Sequence, residues 1–450
     1  MTHSNDNSAR TVQLCQELER VDGCYPSPFN PIQKHKMMAG NPFRFLRGSA
    51  SLFYLDLKTN TLSLPAPLTA QQFNTSIMGD CHVSNFGFFS EEGSHGDTII
   101  FAPNDFDDAC VGNANWDLLR FLVSLQLTYD YCQRLYRKEL VTEEVDIDQI
   151  ESVVSEACLN EAMHCFLASY VNTCRQLLDG DIDRHHVLRN FPKSHPLRKL
   201  EKKAKKRAAG GKQFETKSAL AKLIKQSLTG PEFDLGSDKL CTIDEADKKE
   251  MIAVFRPYMD DEILDIAERL GAGTGSVNMK RYYLLVGPKP FKNDDDLPLC
   301  HVVEVKQQRV AAPAMHYAEY SPVNQLNAAH LTVVCQQRMQ RRPDLVLDEV
   351  EWRGVHWLVR SRHHAKVGIK PEILGLSEQA QCVALPTYAK ACAQALALAH
   401  CRGDRRSMRF EKAVVNVLPS HFSDLLSEAK CYANQMITDC ALLQSQIEAE

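Results

Sequence analysis

The sequence predicts an α+β fold in two lobes. Helical apolar stripes recur between residues 43 and 178, and a strand-rich block opens near 265 and closes on a hairpin ending at 361. Size agrees: 450 residues, 44% of them hydrophobic, are more than one compact core needs.

Taken in order, residues 1–40 are mixed and polar, and Ala39-Gly40-Asn41-Pro42 signals a turn. Phe43 to Leu57 carries a helical stripe. Asn74 to Met78, Phe86 to Ser90 and Thr98 to Ala102 read as short strands. Trp116 to Leu125 is an amphipathic helix with Leu118, Leu119, Leu122 and Leu125 near one face, and helical patterns continue over 148–178. Arg281 to Val286 and Leu299 to Lys306 are strands, 324–341 is helical, and Val346–Trp352 with Val355–Ser361 form a hairpin around Arg353-Gly354. Helix returns over Ser377–His400, and the last forty residues read as one more helix. The expected division is 1–70 as an extension on the helical lobe, 71–260 as that lobe, 261–362 as the β-rich lobe, and 363–450 as hinge and remaining helices.

Net charge is −5, which gives no global pull toward nucleic acid or anionic membrane. Lys199, Lys202, Lys203, Lys205, Lys206 and Arg207 form a basic run, read as a solvated helix with a polyanion-binding patch as the alternative. No aromatics interleave with it, so nucleic acid is disfavoured. The sixteen cysteines are scattered without a Cys-x-x-Cys pair, which fits a reducing cytoplasm better than a disulfide scaffold or zinc ribbon. No basic-then-apolar leader is visible, and no apolar run approaches the ~20 residues that span a bilayer.

The chemistry concentrates in Met78-Gly79-Asp80-Cys81-His82-Val83-Ser84-Asn85, followed by Asn104-Asp105-Phe106-Asp107-Asp108. In-line phosphoryl transfer needs a carboxylate to orient the attacking hydroxyl and oxygen ligands for Mg²⁺ on the phosphates. Asp80 suits the first role. Asn85 and Asp105 suit the second, with Asp107 and Asp108 close enough to compete. The plain alternative is an acidic loop that caps the following helix, which Asp108 could do. His82 either supports the loop or contacts substrate. Asp117, on the helix behind, is expected to anchor the loop.

A second half follows about two hundred residues on. Gly271, Gly273, Gly275 and Ser276 precede a strand, so backbone N–H groups there could approach phosphate oxygens. The following strand excludes a Rossmann fingerprint, and the lack of Gly-Lys-Ser/Thr excludes a Walker loop. A glycine-rich β-hairpin of the protein-kinase kind fits, and it predicts a Lys on the next strand, which Lys306 supplies. Glu319 is the best candidate for its carboxylate partner, because Gln336 and Gln337 occupy the helix body.

These pieces resemble the catalytic core of aminoglycoside and choline kinase-type phosphotransferases, with Met78 where that pattern usually has His. Over nearly its full length the chain resembles the bacterial domain of unknown function 2252 family. The matching segments include Pro42-Phe43-Arg44-Phe45-Leu46-Arg47-Gly48, Gly79 to Gly87, Asn104 to Asp108, Gly273-Thr274-Gly275-Ser276-Val277 and Ala399-His400. Asn278 stands where another Gly is expected.

The Asp–Asn loop precedes the glycine hairpin here, the reverse of the usual kinase order. The expectation is therefore a protein-kinase-like two-lobe fold, circularly permuted between the helix ending at His400 and the loop. Permutation is tolerable where the old termini lie close together. It requires Lys306 and Asp105 to approach across a cleft. The expected function is ATP- and Mg²⁺-dependent phosphoryl transfer to the hydroxyl of an unknown small molecule or protein. A non-catalytic nucleotide-binding (pseudokinase) module and a nucleotidyl transferase are the alternatives. A metallophosphoesterase would need more His ligands than the sequence around Gly79-Asp80-x-His82 offers.

Overall fold

A computed structural model describes residues 2–29, 31–227, 230–236, 239–271, 279–292, 294–376 and 384–448. The N-terminal stretch is more ordered than its composition suggests. It forms α1 (Thr2–Asp22) and α2 (Gln33–Ala39). Arg10 fixes α1 by bridging Asp56 and Asp439 at 2.6 and 2.5 Å. The helix expected over 43–57 is two helices, α3 (Pro42–Gly48) and α4 (Ala50–Lys58). Asn41 caps α3 by accepting from Arg44 N, with Pro42 opening the helix. Ser49 leaves the helical region (φ −116°, ψ 40°) and turns its hydroxyl onto Phe45 O at 2.7 Å, which breaks the run.

β1 (Asn74–Ile77), β2 (Phe86–Ser90) and β3 (Ile99–Pro103) fall within a residue of expectation. β1 pairs antiparallel with β4 (Cys110–Asn113), and β2 with β3. β4 escaped the sequence reading because four residues that include Gly and Asn carry little strand signal. α5 (Ala114–Tyr136) starts on an Asn113 cap and is buried on nearly every side. It stacks Phe121 on Phe166 of α6 (Glu156–Asp179), with ring centroids 4.1 Å apart. The basic run is α7 (Arg198–Arg207), whose buried face is Glu201 and Ala204 and whose lysines are exposed. Glu201 accepts from Asn190 N and Phe191 N and pairs with Arg198 and Lys205.

After the short α8 (Phe214–Lys217) and the hairpin β5 (Ile224–Ser227) with β6 (Gly230–Phe233), the chain builds a six-stranded antiparallel sheet. Its strands are β7 (Leu240–Cys241), β8 (Glu262–Arg269), β9 (Arg281–Gly287), β10 (His301–Gln307), β11 (Asp348–Trp352) and β12 (Val355–Ser361). Their order is β11-β12-β10-β9-β8-β7. The β-rich unit thus begins ahead of 261. Its α9 (Glu245–Phe255) packs Met251 and Phe255 on the face formed by Tyr282, Leu284, Val303, Val305 and Val359. The β11–β12 turn has positive φ at both Arg353 (52°) and Gly354 (71°), the two-residue hairpin the sequence indicates.

The opposite face of the sheet turns toward the cleft. Alternation along β10 and β12 brings Glu304, Lys306, Leu358 and Arg360 to it. Past α10 (Ala314–Tyr317), α11 (Ala328–Met339) lies on this face. Ala329 and Val333 pack on Leu347 and Leu358, while Leu331, Cys335 and Met339 join the main helical core. α11 starts on an Asn327 cap, later than expected, because Pro322 opens a separate 3₁₀ turn. β13 (Val367–Gly368) then adds to β2, so the chain returns to the helical unit directly after the sheet. α12 (Pro371–Gly375), α13 (Ala384–Gly403), α14 (Arg409–Val417) and α15 (Phe422–Glu448) complete that unit. The single C-terminal helix expected is two, broken at Leu418-Pro419. Mixed helix and sheet confirm the α+β class. Among the described residues no helix is long and apolar enough to cross a membrane.

Candidate functional site

The Asp80 loop begins where β1 ends, and it is held from behind at nearly every residue. Asp117, buried in the first turn of α5, accepts from Met78 N at 2.7 Å and Gly79 N at 3.1 Å. This is the anchoring role expected of it. Tyr54 donates to Gly79 O, and Tyr388 to Val83 O. Gly79 has φ +75°, and a Cβ there would lie 1.9 Å from Asp108 O. Gly79→Ala is therefore expected to destabilise by about 1–2 kcal/mol from the left-handed backbone alone, plus displacement of Asp108, read as a lowered urea midpoint.

Asp80 itself is gripped by Arg120, which donates from Nε at 2.9 Å and Nη2 at 2.6 Å to one carboxylate oxygen. Burial raises the Asp80 pKa, but Arg120 and then His82 outweigh it, and the carboxyl sits well below the usual range. The other oxygen is 3.6 Å from His82 Nε2. Burial lowers the His82 pKa against the pull of Asp80, so the ring is neutral. Its Nδ1 accepts from Ser84 N at 3.2 Å, which puts the proton on Nε2, facing Asp80. Asn85 donates its amide to Asp80 O at 2.9 Å, leaving its carbonyl oxygen as the donor atom to offer.

The second acidic segment follows β3, and Asn104 N ties it to Asn85 O at 3.0 Å. The three aspartates there divide in role. Asp108 faces inward, accepting from Ala312 N at 2.9 Å and pairing with Arg309 at 3.1 Å. Asp107 pairs with Lys306 and, at 3.0 Å, with Arg360. Asp105 forms no ion pair among the described residues and accepts from Asp107 N at 3.3 Å. Their pKa values split accordingly. Burial and then the Asp107 charge raise Asp105, while for Asp107 Lys306 and Arg360 overcome burial and hold it far down.

Asp80, Asn85 and the three aspartates of the second segment line one cleft between the two units. Its walls include Asp80, Asn85, Asp105 and Asp107 from the helical side and Lys306 and Arg360 from the sheet. His82 lines it too, from a nearly fully buried position. The fully buried Lys306 meets Asp107, two residues beyond the Asp105 that was expected to approach it. Glu319 is not its partner. That side chain is exposed and lies 3.7 Å from Lys58. Gln336 of α11 lines the cleft instead and donates to Gln340 at 3.2 Å. Gly271 is described, with φ +58° and open space around its Cα. Gly273, Gly275, Ser276 and Asn278 lie outside the described residues, although Met279 and Arg281 just after them reach the cleft wall.

Sequence reasoning missed Arg120, Arg360 and Lys366, the last a cleft-lining lysine whose charge acts on Asp105. Arg360 carried a usable signal, because strand alternation puts it two residues from Leu358 on the face that bears Lys306. Arg120 carried none. A further support runs behind Asp117: its carboxylate can only accept, so His400 donates from Nε2 at 3.0 Å and accepts at Nδ1 from Tyr170 at 2.7 Å.

A family model described as an uncharacterized protein conserved in bacteria (DUF2252) matches residues 30–134 and 151–445. No curated protein and no solved structure matches the chain.

Proposed function

The chain belongs to the DUF2252 family of uncharacterized proteins conserved in bacteria, and we propose that it is an ATP- and Mg²⁺-dependent phosphotransferase acting on a hydroxyl-bearing substrate. One observation carries the reading. The Asp80–Asn85 loop and Asp105, from one unit, share a cleft with Lys306 on an inner strand of the other.

We read the fold as protein-kinase-like and circularly permuted. An antiparallel sheet with one helix on its cleft face sits over a helical unit that carries the acidic loops. The permutation needs the end of α13 to adjoin β1, and Thr75 Oγ1 donates to His400 O at 2.6 Å. A Cβ on Gly403 would come within 2.4 Å of Thr75 Oγ1, so that glycine permits the close approach.

In this reading Asp80 orients the substrate hydroxyl with the carboxylate oxygen that Arg120 leaves free, and His82 supports it. Asn85, Asp105 and Asp107 form an all-oxygen donor set of the hard type that suits Mg²⁺. The ion's chemistry is to neutralise phosphate charge. Lys306 and Arg360 bind phosphate oxygens once they leave Asp107. Cytoplasmic ATP is the nucleotide partner.

A second reading is a non-catalytic nucleotide-binding module. It is favoured by Gln336, which puts an amide on α11 where a carboxylate partner for Lys306 was expected. A transfer screen with γ-labelled ATP over hydroxyl donors, run on wild type and Asp105→Ala, separates these. Label transfer by wild type alone supports the phosphotransferase. ATP binding with no transfer supports the second reading, and label arriving only from α-labelled ATP would make it a nucleotidyl transferase. Equal transfer by both proteins rejects the site.

A further inference from the structure

Away from the cleft floor, three chain segments bring His95, Asp260 and His301 together. His95 lies in the loop between β2 and β3, Asp260 in the turn before β8, and His301 opens β10. One ligand atom from each lies within 4.8 Å of the others. Both imidazoles direct Nε2 at the same carboxylate: His95 pairs with one oxygen, and His301 is 3.2 Å from the other. The two rings are 4.9 Å apart between centroids.

The surroundings lack the partners that a plain hydrogen-bond cluster would have. His301 is buried, and its Nε2 has no well-directed hydrogen bond despite that short approach. His364 is 3% exposed, and neither of its ring nitrogens is partnered. A buried imidazole nitrogen that faces a carboxylate without a well-directed hydrogen bond, as His301 Nε2 does, is costly without a ligand.

We propose that His95, Asp260 and His301 bind one zinc-class divalent cation that clips the β2–β3 loop to the sheet. Two nitrogens and one oxygen suit Zn²⁺ and its neighbours in the late first-row series, not Mg²⁺. Ligand atoms on a tetrahedral zinc stand about 3.4 Å apart, given bonds of about 2.1 Å. The remaining coordination position opens to solvent, since the Asp260 side chain is 44% exposed. The clip joins the same two units that form the cleft: the β2–β3 loop belongs to the unit of the Asp80 loop, and Asp260 and His301 to the sheet unit.

The test uses the full chain, stripped with chelator and titrated with Zn²⁺ by calorimetry. Co²⁺ serves as a visible probe and Mg²⁺ as a comparison. One tight equivalent of Zn²⁺, a raised melting temperature and the absorption of a low-coordinate Co²⁺ site are expected. His95→Ala and Asp260→Asn, each with unchanged far-ultraviolet dichroism, should weaken Zn²⁺ at least as much as the roughly 10–100-fold that loss of an outer-shell partner costs. His421→Ala, at a surface His–Asp pair on the other unit, should bind as wild type does. No stoichiometric Zn²⁺ on wild type, or wild-type affinity in His95→Ala and Asp260→Asn, overturns the proposal.

Discussion

Asp105→Asn is expected to lower phosphate transfer by about 10³-fold while making the Mg²⁺-free protein more stable. The loss follows from the role proposed for Asp105, since removing one preorganised electrostatic group at a reacting centre costs on the order of 10²–10³ in rate. The gain follows from its present surroundings. Burial and then Asp107 raise the Asp105 pKa above that of the unfolded chain. A carboxyl raised in this way holds its proton better when folded. Its contribution to stability is therefore greatest at low pH and falls as pH rises through the folded pKa. Asparagine is uncharged at every pH and removes that penalty. At pH 8 the variant should gain roughly 0.5–2 kcal/mol, the usual range for one stabilising change, and the gain should shrink as pH falls through the raised pKa and vanish below the pKa of the unfolded chain. Urea unfolding at several pH values without Mg²⁺, beside the transfer assay, reads both effects. A variant less stable than wild type at pH 8, or one within tenfold of its activity, would contradict the assignment.

The largest structural effect is expected at Asp117. Its fully buried carboxylate accepts from two backbone N–H groups of the Asp80 loop and from His400. Asp117→Ala leaves three buried donors unpaired, at about 1–3 kcal/mol for each orphaned group. A net loss of about 3–5 kcal/mol is expected, as when one partner of a buried ionic network is removed. Asp117→Asn keeps one accepting oxygen and should lose less, although its NH₂ opposes a donor. Urea midpoints of the two variants give the order. If alanine costs under about 1 kcal/mol, Asp117 does not carry the loop. Activity should fall with both, because the geometry of Asp80 depends on Met78 and Gly79.

The acidic half of the cleft was legible because its spacing is local. Asp80 and Asn85 are five residues apart on one loop, and Asp105 follows a strand whose β-branched residues mark it. Lys306 was legible for the same reason, as the end of an apolar strand. Its partner was not. Glu319 is nearer in sequence, but the chain turns it outward, and Asp107 arrives from a segment 199 residues away. Arg120 was invisible because nothing local distinguishes a buried arginine on a helix from an exposed one. Only packing supplies Asp80 and Leu46 O as its acceptors. Helix ends failed where a polar side chain or a proline overrides an apolar stripe, as at Ser49 and Pro419.

By itself the sequence determined the α+β class, most strands, the family resemblance and the acidic residues that face the cleft. The class, the strands and the acidic residues rest on periodicity or spacing within a few residues, which local backbone geometry converts directly into structure, while the family rests on resemblance along the whole chain. The tertiary fold alone decided which charges neutralise one another. It gave Lys306 and Arg360 to Asp107, Arg120 to Asp80 and Arg309 to Asp108, and it left Asp105 as a cleft carboxylate whose pKa is raised. The reason is physical: ion pairing and desolvation depend on distances of a few ångströms between segments that the sequence separates by tens to hundreds of residues.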